Sequence, residues 1–122
     1  MELISTERGK TMNEKPKVSE AIVLKSILEW LRVRGIFAWR NNTGAVKIDG
    51  PTRNRFVRYG TPGSSDILGC LPDGRFLAIE CKSPIGRPTS DQLVFIKNIR
   101  DRGGIAFIAR SIDDVIAELD DI

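Results

Sequence analysis

Histidine is absent from this sequence of 122 residues. Its absence excludes Ser-His and Cys-His nucleophilic catalysis, and it also excludes metal sites with histidine ligands and hydrolases of the HExxH type. An enzyme made from this chain must therefore work through carboxylates, lysine and a hard cation.

Cysteines and long apolar runs are also scarce. The two cysteines, Cys70 and Cys81, form no CxxC motif, so a standard zinc site is excluded. We expect both thiols to be reduced and partly buried. No apolar run approaches the length of a membrane span, and the first residues lack the basic-then-apolar pattern of a signal peptide. The sequence therefore predicts a cytoplasmic protein.

The apolar pattern predicts a single folded domain over residues 18–122, preceded by a polar, flexible arm over 1–17. Helices are predicted at about 19–34, at 89–102 and after Ser111, and strands at 36–39, 66–71, 76–82 and 105–109. Residues 45–59 are interpreted as a loose basic hairpin or an ordered loop. The order α-β-β-β-α-β-α places a helix between two strands that can pair in parallel. It predicts an α/β fold with a mixed central β-sheet flanked by helices.

Basic residues outnumber acidic ones over most of the chain. The formal net charge is +3, but five of the sixteen acidic residues lie in the last ten positions, so residues 1–112 carry 19 basic and 11 acidic groups. One segment contains a single acid, Asp49, and five bases: Arg40, Lys47, Arg53, Arg55 and Arg58. Aromatic residues alternate with these bases. The pattern is compatible with nucleic-acid binding and equally with a solvated basic loop.

Two acidic residues and a lysine stand at the ends of two neighbouring apolar runs. Asp66 begins the first run, and Glu80 and Lys82 end the second. The turn sequence Pro72-Asp73-Gly74 between the runs predicts an antiparallel hairpin. Alternate strand residues share a face, so Glu80 and Lys82 point the same way, about 7 Å apart along the strand. Two carboxylates and an ammonium at one end of a hairpin suit divalent-cation binding and activation of water at a phosphodiester.

A simpler interpretation of the same three residues is surface charge and turn chemistry, because a D…ExK pattern is short enough to arise by chance. The position of Glu80 argues against it. Ile79, Glu80 and Cys81 form part of an interior apolar stretch, where a carboxylate needs a partner or a metal.

With these elements in this order, the chain resembles the PD-(D/E)xK nuclease superfamily. Within it, the chain resembles the VRR-NUC family in three ordered segments over about residues 18–110: Arg58-Tyr-Gly-Thr-Pro-Gly-Ser-Ser-Asp66-Ile-Leu-Gly69, Glu80-Cys-Lys82 and Ser90-Asp-Gln92. Ser65 stands where the family pattern has proline before the first aspartate. The chain is similar in size to stand-alone members found in phages. The resemblance implies a restriction-endonuclease-like core and a Mg²⁺- or Mn²⁺-dependent endonuclease. It also implies a homodimer that acts on branched DNA such as four-way (Holliday) junctions.

The resemblance also assigns roles to individual residues. Asp66, Glu80 and the backbone carbonyl of Cys81 would ligate the cation, and Lys82 would orient or deprotonate the attacking water or stabilise developing charge. Glu20 matches a helix carboxylate that helps to hold water or a second cation. Gln92 matches a polar residue at the start of the following helix.

Other interpretations remain open for some of these residues and for the whole chain. Gln92 is equally explained by a capping box with Thr89, and Glu20 by the preference for an acid in the first turn of a helix. The chain as a whole is alternatively a 5′-flap or less selective nuclease, a DNA-binding module that does not cut, or a metal-free protein in which Glu80 and Lys82 form an ion pair.

Overall fold

The computed structural model describes residues 19–122, so the predicted arm over 1–17 lies outside the described residues. The elements are α1 (Glu20–Val33), β1 (Phe37–Arg40), β2 (Gly44–Ile48), β3 (Arg55–Tyr59), β4 (Ile67–Cys70), β5 (Phe76–Cys81), α2 (Ser90–Asp101), β6 (Ile105–Ala109) and α3 (Ile112–Leu119). None of the helices in the described part of the chain is both long and apolar enough to cross a membrane.

A four-stranded sheet in the order β1-β4-β5-β6 forms the centre of the fold. β4 pairs with β1 and β5 in antiparallel orientation, and β5 pairs with β6 in parallel. The parallel pair requires a crossover, and α2 provides it. The predicted hairpin, the predicted parallel pair and the mixed central sheet flanked by helices are therefore confirmed.

Helices cover the two faces of this sheet. α1 and α3 bury the larger cluster of apolar side chains, which includes Ile27, Ile67 and Leu119, on one face. α2 buries a smaller cluster around Ala78, Ile96 and Ala106 on the other. Because strand side chains alternate, residues 67, 77, 79 and 81 face α1 and α3, whereas residues 66, 68, 78 and 80 face the α2 side.

Side-chain caps define the starts of the helices. The hydroxyls of Ser19, Thr89 and Ser111 accept hydrogen bonds from the backbone N–H of the third residue of α1, α2 and α3, respectively. The predicted capping box is formed completely, since the Gln92 side chain also accepts from the Thr89 N–H. Gly35, with φ of 74°, ends α1 as predicted.

The helical spacing of apolar residues predicts that Ala21 and Leu93 face the core, and both cysteines are expected to be partly buried; three of these predictions are wrong. Ala21 is exposed in α1, where Val23 is buried instead, because the helix turns Val23 rather than Ala21 toward the sheet. Leu93 is exposed because Ile96 is the α2 residue that reaches Ala78 and Ala106. Cys70 is exposed, and only Cys81 of the two free cysteines is buried.

The segment after β1 contains more regular structure than the predicted order allows. β2 and β3 pair in antiparallel register from Gly44–Tyr59 to Ile48–Arg55 and form a separate two-stranded sheet. The observed order is therefore α-β-β-β-β-β-α-β-α. All ten strand residues of this hairpin are exposed. A hairpin that buries neither face lacks the alternation of apolar and polar residues by which half-buried strands are recognised in a sequence.

Candidate metal centre

Three carboxylates meet at one end of the central sheet. Asp66 immediately precedes β4, Glu80 is the penultimate residue of β5, and Glu20 is the first residue of α1. Each offers one oxygen such that the three oxygens lie within 4.8 Å of one another. Asp66 and Glu80 come together because the antiparallel register that pairs Ile67 with Ile79 places residues 66 and 80 opposite each other.

Asp66 is held in place by backbone groups on both neighbouring strands. Its Oδ2 accepts a hydrogen bond of 2.8 Å from the Cys81 N–H, and its carbonyl oxygen accepts one of 2.7 Å from the Asn41 N–H at the end of β1. Its carboxylate therefore points toward the end of β5, and its other oxygen remains available to the centre.

Glu80 is almost completely buried, with 2% of its surface exposed. Its Oε2 accepts a hydrogen bond of 2.8 Å from Gln92 Nε2 and lies 3.5 Å from Lys82 Nζ. Its Oε1 is buried and has no hydrogen-bond partner among the described residues. Burial, reinforced by the negative charge of Asp66 and opposed by Lys82, raises the pKa of Glu80 to about 7.

Lys82 lies between two of the carboxylates. Its Nζ is 3.5 Å from Glu80 Oε2 and 3.9 Å from Glu20 Oε1, and only 8% of the residue is exposed. Its backbone N–H continues the sheet by donating to the carbonyl of Ala109 on β6. The side chain therefore leaves a fixed strand on the same face as Glu80, as the alternation of strand residues predicts.

Gln92 serves both of the roles considered for it. Its Oε1 accepts from the Thr89 N–H in the capping box, which directs its Nε2 toward Glu80. The amide therefore connects the start of α2 to the buried carboxylate. The capping motif in the sequence identified the first contact, whereas the second depends on how α2 packs on β5.

Cys81 contributes backbone groups rather than its thiol. The N–H and C=O of one extended residue point toward the same edge of a strand, so the N–H donated to Asp66 places the Cys81 carbonyl on the Asp66 side as well. Burial raises the pKa of the Cys81 thiol far above its ordinary value, which keeps the thiol protonated and excludes it as a nucleophile.

A tight loop before Asp66 packs on the start of α2. The sequence did not predict the contacts that hold this loop in place. Asn41 Nδ2 donates to Ser64 Oγ at 2.7 Å and to the Ser65 carbonyl at 3.0 Å. Gly63 has φ of 77°, and a Cβ there would overlap the backbone carbonyl of Asp91. A hydrogen bond between residues 23 positions apart leaves no local pattern in the sequence.

The predicted nucleic-acid residues are all exposed and lie in two places. Arg40 ends β1 and pairs with Ile67, so its side chain lies on the face of the sheet opposite Asp66 and Glu80, at the groove between α1 and β1. Arg53 and the three strand bases lie on the β2–β3 hairpin. The hairpin register places Lys47 and Arg58 on one face with Phe56, and Arg55 on the other with Ile48.

A groove of about 730 Å³ lies elsewhere, between α1 and β1. Leu24, Leu28 and Ile36 are among its lining residues, but none of the three clustered carboxylates is. The reactive groups therefore do not lie in this groove.

The carboxylate cluster suits a hard divalent cation. It supplies oxygen atoms only, and Mg²⁺ and Mn²⁺ bind through a few carboxylates while retaining several waters. The unpartnered Glu80 Oε1 is the oxygen that most needs a positive ligand, because a buried unpaired acceptor is destabilising. Scans against models of protein families, against curated proteins and against solved structures found no match for this chain.

Proposed function

We propose that this chain is a divalent-cation-dependent endonuclease that hydrolyses phosphodiester bonds in DNA. The observation that carries the proposal is the convergence of Glu20, Asp66 and Glu80 beside Lys82. A structural ion pair would need one carboxylate and one base. Three carboxylate oxygens within 4.8 Å, with a single lysine to balance them, leave an excess of negative charge that a cation would neutralise.

Glu20, Asp66 and Glu80 would hold the cation, with the Cys81 carbonyl as a further oxygen ligand. A bound Mg²⁺ or Mn²⁺ would lower the pKa of a bound water molecule and offset the negative charge of the phosphodiester transition state. Gln92 keeps the Glu80 carboxylate oriented by donating to its Oε2. Lys82 Nζ, which lies beside Glu80 and Glu20, would orient the attacking water and would either take its proton or stabilise charge on the phosphate.

The arrangement of elements supports a restriction-endonuclease-like core of the PD-(D/E)xK type and membership of its VRR-NUC family. Asp66 and Glu80 lie on an antiparallel hairpin that is preceded by α1, which carries Glu20, and followed by a helix and a parallel strand. In this family the stand-alone phage members act as homodimers on branched DNA. We therefore propose branched DNA, such as a four-way junction, as the substrate and a homodimer as the working form.

The test is to incubate the pure protein with a four-way junction, a 5′-flap and a linear duplex, in Mg²⁺, Mn²⁺ or EDTA. We expect metal-dependent cutting, with the junction cut fastest. Asp66→Asn should abolish cutting while leaving junction binding largely intact, because Asn keeps the acceptor for the Cys81 N–H but loses the charge that attracts a cation.

The matched control is Asp73→Asn, which removes an acid from the exposed turn of the same hairpin. It should cut at the rate of the unmodified protein. If Asp66→Asn cut DNA as fast as the unmodified protein, Asp66 would not be a ligand of the catalytic cation. Flap cutting alone would keep the active site and discard the junction as the preferred substrate.

A second candidate function is a DNA-binding module that does not cut. The exposed β2–β3 hairpin favours it, because its bases and aromatic rings project from the core without packing on it. Binding of DNA without cleavage under every metal would support this candidate. Calorimetric titration with Mn²⁺ distinguishes the two candidates independently of cleavage, since only the nuclease requires a cation at Asp66 and Glu80.

A further inference from the structure

An aromatic surface lies on the same face of the sheet as the carboxylates. Trp39 pairs with Leu68 and Phe37 pairs with Cys70. Leu68 and Cys70 are two and four residues after Asp66, so their side chains lie on the same face of the sheet as its carboxylate. The two rings lie side by side with centroids 5.3 Å apart. Phe76 on β5 pairs with Cys70 and adds a third ring to this face. We call the side chains of Phe37, Trp39, Cys70 and Phe76 the aromatic platform.

The platform is open to solvent. Phe37 is 72% exposed, Trp39 43% and Phe76 40%, and Cys70 between them is exposed as well. α2 packs mainly on β5 and β6 on this side of the sheet, with Leu68 of β4 at the margin of its cluster, and so leaves β1 and the Cys70 end of β4 exposed. Exposed aromatic side chains gathered on one sheet face are unusual and indicate a binding surface.

The platform continues directly from the candidate metal centre. Residues 41, 66 and 80 form one row across the sheet, and Trp39 with Leu68 forms the next row on the same face. Successive rows are about 7 Å apart, so Phe37 and Phe76 lie about 14 Å from the carboxylate row. A polymer strand that leaves the metal centre along this face would pass over Trp39 and then Phe37.

The charge of the chain favours a polyanion. The side chain of Arg40 lies on the opposite face from Trp39, because neighbouring strand residues alternate, but the formal net charge is +3 and the exposed basic β2–β3 hairpin follows β1 in the chain. Exposed aromatic rings on a basic protein suit single-stranded nucleic acid, whose nucleobases stack on the rings and whose phosphates contact cationic side chains.

We propose that the aromatic platform binds unpaired bases of the DNA strand that enters the metal centre. This inference rests on the proposed nuclease function and specifies its substrate: DNA that is locally single-stranded beside the cut. Stacking distinguishes such DNA from a fully paired duplex, because paired bases are already stacked within the helix. Trp39 and Phe37 are then residues that determine specificity.

The two free thiols provide a direct test. Cys70 is exposed at the centre of the platform, whereas Cys81 is buried and its pKa is raised. A neutral reagent, iodoacetamide, should therefore alkylate Cys70 alone, as read by mass spectrometry. In EDTA, where no cutting occurs, a short oligothymidine strand should slow this alkylation about ten-fold, and a blunt duplex bound to the same extent should not.

Three variants identify what covers the platform. Trp39→Phe keeps an aromatic ring and should keep most of the protection, whereas Trp39→Leu keeps apolar surface only and should lose it. Trp39→Leu should also weaken oligothymidine binding about ten-fold. Val94→Ala on the exposed side of α2 is the control and should change neither quantity.

The outcomes separate this inference from the nuclease proposal. Metal-dependent cutting without protection of Cys70, although oligothymidine is bound, would overturn the platform and leave the nuclease. Protection without cutting under any metal would leave the platform as a single-strand binding surface and overturn the nuclease. Protection that rises with protein concentration in the absence of DNA would assign this face to a second copy of the chain and overturn the inference.

Discussion

Glu80 is the residue whose placement is hardest to explain by stability. Its carboxylate is buried beside Asp66, and one of its oxygens has no partner among residues 19–122. Lys82 and Gln92 satisfy the other oxygen. Burial disfavours the ionised form of this carboxylate and raises its pKa. A strained carboxylate of this kind is typical of functional sites, where a ligand compensates for the desolvation.

The first prediction concerns the pH dependence of stability without metal. The pKa of Glu80 is raised from 4.5 to about 7 on folding, so the folded protein binds this proton more tightly than the unfolded chain does. The stabilising contribution of Glu80 to the free energy of unfolding is therefore fully present below about pH 4.5, and it is lost as the pH rises to about 7. The corresponding loss in the free energy of unfolding is about 3 kcal/mol.

Glu80→Gln removes the titration and should flatten this part of the profile. Urea denaturation in EDTA at several pH values measures it, as the difference in unfolding free energy between the unmodified protein and the variant. Glu118→Gln, at an exposed position of α3, serves as the control and should reproduce the unmodified profile. A constant difference between the unmodified protein and Glu80→Gln across this range would contradict the assignment.

At the scale of single elements, the β2–β3 hairpin stands apart from the rest of the molecule. It buries no residue, and its register separates a face with Lys47 and Arg58 from a face with Val46 and Val57. Since it adds nothing to the core, selection for stability alone does not account for its bases. Phosphate contact, as in the proposed function, would account for them.

The second prediction is that Lys47→Gln combined with Arg58→Gln weakens DNA binding without destabilising the fold. Loss of two phosphate contacts should lower the slope of log affinity against log salt by about 2. The unfolding free energy should change by less than about 0.5 kcal/mol, because both side chains are exposed. Fluorescence anisotropy over a range of salt concentrations measures the slope.

Lys97→Gln combined with Arg102→Gln is the matched control, with two exposed bases removed from α2. Its salt slope should equal that of the unmodified protein. If both double variants lowered the slope equally, net charge rather than the hairpin would govern binding.

Local patterns in the sequence predicted the elements that carry the site, but not their arrangement. Thr89 and Gln92 showed the capping box, and the turn at Asp73 showed the hairpin, because these contacts span only a few residues. The approach of Glu20 to Glu80 depends on packing of α1 against the sheet, and only the family resemblance suggested it. The contact from Asn41 to the loop before Asp66 also joins distant positions and was missed.

At the scale of the whole molecule, the proposed nuclease would cut one strand at each metal centre. The described chain brings together a single group of three carboxylates, so the cleavage of both strands at a junction requires either two binding events or two copies of the chain. A homodimer with two-fold symmetry would present two centres to the two equivalent strands of a junction.

The third prediction follows from this geometry and uses a plasmid that extrudes a cruciform. A dimer should make paired cuts within one binding event and convert supercoiled plasmid mainly to the linear form. Pre-mixing the protein with excess Asp66→Asn should produce mixed dimers with one working centre, which release nicked circles instead. Gel electrophoresis of the products measures the ratio of linear to nicked DNA. If the chain acts as a monomer, the variant only competes for the junction, so cutting slows while the product ratio does not shift toward nicked circles.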